Sequence, residues 1–154
     1  MTKLRPHHIL DIVRNIGNDR PIVPHEYGHR VHEFTKALIE DAGLQCMLVV
    51  ENDDICKPCR NLSADNQCSD ILRQLETPIS KQDYNDRLDE RILAFLHLKP
   101  NAVLTVSDYL SLVLANIDPM VEICTHPKED KNTRREGLVK GMKKLGIAQP
   151  VPRR

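Results

Sequence analysis

Three cysteines crowd into the segment Asp53-Asp54-Ile55-Cys56-Lys57-Pro58-Cys59-Arg60-Asn61-Leu62-Ser63-Ala64-Asp65-Asn66-Gln67-Cys68. Two residues between Cys56 and Cys59 allow a tight turn to aim both sulfurs at one metal centre, with backbone N–H groups of the turn facing the thiolates. Pro58 stiffens that turn, and the Asn-, Asp- and Ser-rich stretch after it can loop back to deliver Cys68 as a third ligand. Lys57 and Arg60 offset part of the thiolate charge. Four ligands are usual for such centres. Cys124 is the natural fourth, since it is expected in a loop after the helix-breaking Asp118-Pro119. Cys46 opens an apparent strand and reads as a small core residue.

Iron–sulfur and zinc centres both accept four thiolates, so spacing alone leaves the metal open. A zinc ribbon usually carries two paired Cys-x-x-Cys knuckles, and only one is present. A third cysteine further along the loop and a distant fourth suit a cluster wrapped by the fold at least as well. Two other readings compete. Cys-Lys-Pro-Cys has the form of a redox dithiol, but such a pair normally opens a helix whose N-terminus lowers the thiol pKa. Here the residues after Cys59 read as turn, and no βαβ pattern surrounds them. Alternatively, the cysteines are unrelated and some are buried; their clustering in a reduced compartment weighs against that.

Two sets of histidines also bear on chemistry. His7 and His8 precede Asp11 by four and three residues, so either imidazole can share a helix face with that carboxylate. Such a pair can orient a ligand or an acid–base group, making His7, His8 and Asp11 the candidate catalytic residues; a plain polar contact at a helix start fits equally well. His25-Glu26-Tyr27-Gly28-His29 matches the His-Glu-x-x-His zinc-hydrolase pattern, with Glu26 as general base if the segment is helical. Pro24 and Gly28 weaken a helix there, and no convincing third ligand follows at a familiar distance.

The elements that must position these groups are mostly helices. Pro6 suits a first helical position ahead of the apolar Ile9, Leu10, Ile12, Val13 and Ile16, predicting a helix over 6–16. Tyr27, Val31, Phe34 and Leu38 fall at helical steps, predicting a second over 25–42. Cys46 to Val50 predicts a strand near 46–51. Ile71, Leu72 and Leu75 support a short helix. Ser80 with Asp83, and Thr105 with Asp108, predict caps for helices over 80–97 and 106–117. Thr133 with Glu136 forms a capping-box pattern for a helix over 133–145. The expected fold is mainly α with one short strand or strand pair, α+β being the variant: a single metal-binding domain over 1–147 and a flexible tail over 148–154.

The chain of 154 residues is long enough for one core, which must be aliphatic because aromatics are scarce and Trp is absent. Its 22 basic and 22 acidic residues cancel, which removes the electrostatic footprint of a nucleic-acid binder. No apolar run reaches signal-peptide or membrane-spanning length, so a cytoplasmic protein is expected, with no membrane partner. An odd count of 5 cysteines argues against a disulfide framework.

Leu4-Arg5-Pro6-His7-His8-Ile9-Leu10 followed by Asp54-Ile55-Cys56-Lys57-Pro58-Cys59 resembles a family of small bacterial and archaeal proteins of unknown function, described as iron–sulfur binding. The likeness runs over roughly the first two thirds of the chain and, like any short-motif match, gains weight from the two strings together. It implies that Cys56, Cys59 and Cys68 hold a cluster, 4Fe–4S by type. Members often carry a cysteine directly after the stretch matching His7 to Leu10, where this chain has Asp11. The fourth position therefore falls to Asp11, Cys124 or Cys46, or stays open for chemistry. The expected function is iron–sulfur binding through Cys56, Cys59, Cys68 and Cys124, serving a redox partner or a small molecule. The alternatives are a zinc-stabilised binding module and, behind it, a hydrolase using His25, Glu26 and His29.

Overall fold

The computed structural model describes residues 1–73 and 75–148. The order is β1 (Lys3–Leu4), α1 (Pro6–Gly17), α2 (Val31–Glu40), β2 (Gln45–Leu48), β3 (Ile71–Leu72), β4 (Ile79–Ser80), α3 (Lys81–Phe95), β5 (Ala102–Thr105), α4 (Val106–Ala115), α5 (Ile117–Cys124) and α6 (Lys131–Lys144). The expected mainly helical architecture is thus present, with the strands gathered in two small sheets. β2 lies centrally in a three-stranded sheet, parallel to β1 and antiparallel to β5. β3 and β4 form a separate antiparallel pair.

Pro6 begins α1 as its position predicts, because a missing N–H costs nothing in the first helical turn. Ser80 caps α3 by accepting from the Asp83 N–H, and Thr105 caps α4 by accepting from that of Asp108. Five expectations are corrected. α2 starts at Val31 instead of 25, because Gly28 takes φ +83° and turns the chain off the helical path. The short helix expected around Ile71, Leu72 and Leu75 is instead the β3–β4 pair. Asp118-Pro119 does not break a helix; Pro119 sits in the first turn of α5, and Cys124 is the last residue of that helix, not a loop residue. α6 is capped by Asp130, whose Oδ1 accepts from the Asn132 and Thr133 N–H groups, in place of the Thr133–Glu136 box. The strand expected near 46–51 is one residue earlier and ends at Leu48. Of the tail expected over 148–154, residues 149–154 lie outside the described residues; the Ala148 carbonyl accepts from Ser111 Oγ at 2.8 Å.

The core is aliphatic. Ile9, Leu10, Ile12 and Val13 of α1 are wholly buried and share one core with Leu38, Leu48, Ile92, Val113, Met120 and Leu138. α1 and α6 touch backbone to backbone. A Cβ on Gly141 would stand 2.0 Å from the Val13 carbonyl oxygen, and one on Gly17 would stand 1.8 Å from that of Gly137. This approach seats α6 directly against the helix that carries His7, His8 and Asp11.

Alanine normally outdoes glycine inside a helix by about 1 kcal/mol. Gly141→Ala should reverse that sign, since backbone cannot yield as a side chain does. We expect at least ~2 kcal/mol lost and a thermal midpoint lower by several degrees, read by circular dichroism. Lys143→Ala, on the exposed face of the same helix, should stay within about 0.5 kcal/mol.

Candidate functional site

The string Arg5-Pro6-His7-His8 joins β1 to α1, and each of its three ionisable side chains meets a carboxylate distant in sequence. Arg5 is fully buried. Its Nη1 donates to Asp89 Oδ2 at 2.8 Å, and its Nη2 donates to Asp86 Oδ1 at 2.7 Å and to Asn52 Oδ1 at 3.3 Å. The His7 backbone N–H donates to Asp89 Oδ1 at 2.9 Å, and the ring Nδ1 lies 2.9 Å from both oxygens of that carboxylate. His8 Nδ1 lies 2.8 Å from Asp53 Oδ2, an oxygen that also accepts from the Arg5 N–H at 2.6 Å. The other oxygen of Asp53 accepts from the Ile55 N–H at 3.1 Å. Burial disfavours the His8 imidazolium, but the Asp53 charge and hydrogen bond outweigh it, and the pKa lies above its ordinary value.

Consecutive helical residues point about 100° apart. His7 and His8 therefore each meet a separate carboxylate, with ring centroids 4.5 Å apart. Neither pairs with Asp11 as their spacing suggested. Asp11 accepts instead from Arg134 Nη2 at 3.0 Å, with Arg14 Nη1 at 3.6 Å. Burial works against its ionisation, and the Arg134 and Arg14 charges override this, holding the carboxyl well below the usual range.

The cysteine loop hangs from the same frame. Lys3 N–H donates to Asp54 Oδ2 at 3.0 Å and the Asp54 N–H returns to the Lys3 carbonyl at 3.1 Å. The Cys56 N–H then meets the Asp53 carbonyl at 3.1 Å, and the Cys59 N–H meets that of Cys56 at 2.9 Å, a turn and not a helix start. An isolated bridge, Leu62 to Cys68, folds the loop back, and the Cys68 N–H donates to Gln82 Oε1 at 2.8 Å. His25 to Arg30 brackets the loop from outside. The Arg60 N–H donates to the Tyr27 carbonyl at 2.7 Å, the Arg60 guanidinium lies 4.4 Å from the Tyr27 ring centroid, and the Arg30 N–H reaches the Ile55 carbonyl at 2.9 Å. Because this segment is not helical, His25 and His29 share no helix face; their rings stack at 4.5 Å, and Glu26 is exposed. Burial, then the neighbouring His25, lowers the His29 pKa to about 4.

Cys56, Cys59, Cys68 and Cys124 line one cavity of 340 Å³, together with His7, His8 and Asp11. A larger cavity of 640 Å³ adjoins it, sharing Asp11, Arg14, His29 and Val31. Among the described residues, the set of His, Cys, Asp or Glu groups whose ligand atoms lie within 4.8 Å of one another is His8, Asp53 and Cys56. The three loop thiols line the cavity without forming such a group with one another. Burial, followed by the Asp53 charge, pushes the Cys56 thiol up to about 12. Cys124 enters from the end of α5, where its Sγ accepts from Arg134 Nε at 3.2 Å. Cys46 lies wholly buried in β2 and does not line this cavity; burial raises its thiol to about 11.

The sequence reading missed Arg5, Asp53, Asp89 and Arg134 as site residues. One signal was available: Gln82, Asp86 and Asp89 recur at steps of four and three, a polar stripe on the side of α3 turned toward Arg5.

The chain is thus a small, mainly helical domain with a cavity lined by thiols and imidazoles. Residues 24–128 match the family described as Protein of unknown function (DUF1284), and the chain belongs to that family. The match takes in all four cavity cysteines, whereas Arg5 to Asp11 precede it. Neither the curated proteins nor the solved structures contain a match to the chain. Among the described residues, no helix is long and apolar enough to cross a membrane.

Arg5→Met keeps side-chain bulk but leaves Asp89 buried with His7 as its remaining ionisable partner. Breaking such a pair from one side costs about 3–5 kcal/mol. Lys3→Met removes the exposed pair with Glu51 and should cost under ~1 kcal/mol. Urea denaturation of the two variants measures both.

Proposed function

We propose that this protein binds an iron–sulfur cluster through Cys56, Cys59 and Cys68, at a cavity open to a small molecule or a redox partner. The observation that carries this reading is the arrangement of the loop thiols. All three line one cavity, yet their sulfurs are not gathered within the spacing a single ion needs. In a tetrahedral zinc site with Zn–S near 2.3 Å, neighbouring sulfurs stand about 3.8 Å apart. In a cluster each thiolate binds a different iron, so the sulfurs sit further apart, around the rim of the space and not at its centre. The donor set fits: soft thiols on a turn, a cavity in front of them, and a buried hydrogen-bonded frame behind them.

A second reading draws support from the group His8, Asp53 and Cys56, whose mixed nitrogen, oxygen and sulfur donors suit zinc. Against it, both Asp53 oxygens already accept hydrogen bonds, from His8 and the Arg5 N–H on one and the Ile55 N–H on the other. Asp53 acts better as the group that orients His8 than as a ligand. The hydrolase reading receives no such support, because His25-Glu26-Tyr27-Gly28-His29 lacks the helix its geometry requires.

Protein purified without oxygen, or reconstituted with iron and sulfide, should be brown with broad visible absorption. Colourless protein carrying stoichiometric zinc would favour the second reading. Cys56→Ser, Cys59→Ser and Cys68→Ser should each lower bound iron by about tenfold or more, since oxygen is a poor replacement for a soft thiolate. Cys46→Ser should retain it. Iron and acid-labile sulfide assays decide, and full iron in all three loop variants would overturn the proposal.

A further inference from the structure

We infer that His8 supplies, through Nε2, the fourth protein ligand to the metal group that Cys56, Cys59 and Cys68 hold. The inference rests on the cluster reading of those three cysteines and names what completes it.

Each of the other fourth-ligand candidates is compromised by its surroundings. Cys46 is buried in β2, away from the cavity. Cys124 does line the cavity, but its sulfur accepts from Arg134 Nε at 3.2 Å, and that guanidinium is pinned by Asp11 at 3.0 Å and Glu129 at 3.0 Å. A metal centre reaching Cys124 would meet a buried cation already fixed against the sulfur. Asp11 is committed to the same guanidinium and to Arg14. One arginine thus occupies both residues.

His8 is arranged in the opposite way. Its Nδ1 faces the Asp53 carboxylate, which is wholly buried and fixed by two backbone N–H groups. In the neutral imidazole the Asp53 carboxylate holds the proton on Nδ1, which puts the lone pair on Nε2. Among the described residues the hydrogen bond of the His8 ring is the one through Nδ1, and the ring lines the cavity. A carboxylate behind one ring nitrogen with the other nitrogen free is how proteins present a ligating imidazole. The ring also stands beside the cysteine loop: one of its nitrogens, an Asp53 oxygen and the Cys56 sulfur lie within 4.8 Å of one another, with Nδ1 the nitrogen turned to Asp53. Ligand and orienting group share one short segment, since the Cys56 N–H is bound to the Asp53 carbonyl. His7 is held similarly by Asp89, but that carboxylate is shared with Arg5, and no cysteine sulfur joins the pair in a ligand-sized group among the described residues.

Replacing a thiolate by a neutral imidazole removes one negative charge from the cluster and raises its potential. The test is pulsed electron paramagnetic resonance of the reduced, reconstituted protein, made with natural or 15N-labelled histidine. We expect a strong nitrogen coupling that changes with the isotope, survives His7→Ala and Cys124→Ala, and disappears in His8→Ala. His8→Ala should also lose about a quarter of its iron, the one iron without a thiolate. His8→Cys should regain that iron while lowering the potential and showing no histidine coupling, a rescue that a merely structural role for His8 would not give. A coupling that persists in His8→Ala, or iron lost from Cys124→Ala and not from His8→Ala, overturns the assignment and leaves the three-cysteine reading standing. Wild-type protein that takes up no cluster overturns both.

Discussion

A guanidinium with no access to water holds this protein's site together. Burying Arg5 and Asp89 costs several kcal/mol of lost hydration, and a bare ion pair seldom recovers it. Here Arg5 donates to Asp89, Asp86 and Asn52, while Asp89 also takes the backbone and ring of His7. One atom, Arg5 Nε, is still without a partner. The return on that cost is position. The residue between β1 and α1 is tied to α3 on one side and to the entrance of the cysteine loop on the other. Three segments that are distant in sequence thereby acquire one fixed relation. Asp53 repeats the device, joining the Arg5 backbone, His8 and the turn that carries Cys56.

This frame gives a physical reason for the two short strings that stood out in the sequence to occur together. Arg5-Pro6-His7-His8 and Asp53-Asp54-Ile55-Cys56 are two halves of one hydrogen-bonded structure, with the Lys3 backbone paired to Asp54 and the Arg5 backbone to Asp53. What could be read from sequence was local: Pro6 at a helix start, the Ser80 and Thr105 caps, and the turn through Cys59. What could not be read was remote. His8 and Asp53 are 45 residues apart and His7 and Asp89 are 82 apart, so no periodicity announces them. The nearer Asp11 offered a plausible local partner and proved to belong to Arg134. α5 is hidden for a different reason: Asp118-Pro119 reads as a terminator, whereas proline is tolerated in the first turn of a helix.

The two ends of the cavity differ in electrostatic character. On the α6 side, Arg134 neutralises Asp11 and Glu129 and donates to the Cys124 sulfur, a closed set of interactions. On the α1 side, the carboxylates lie behind the imidazoles, and the free edges of the rings face the open space. The adjoining larger cavity shares Asp11, Arg14, His29 and Val31 with this space, so the Arg14–Asp11 pair borders both.

The glycine contact between α1 and α6 also bears on the order of events as the chain is synthesised. α1 emerges first, yet the surface it offers through Gly17 and Val13 has nothing to close against until Gly137 and Gly141 have been made. The cysteine loop leaves the ribosome between those two moments. Its thiols therefore emerge before the helix bearing Arg134 is complete, with the far wall of the cavity still to come. Non-local docking of this kind is a late step in folding. The interval before it is when the loop thiols are most open to solvent and to oxidation.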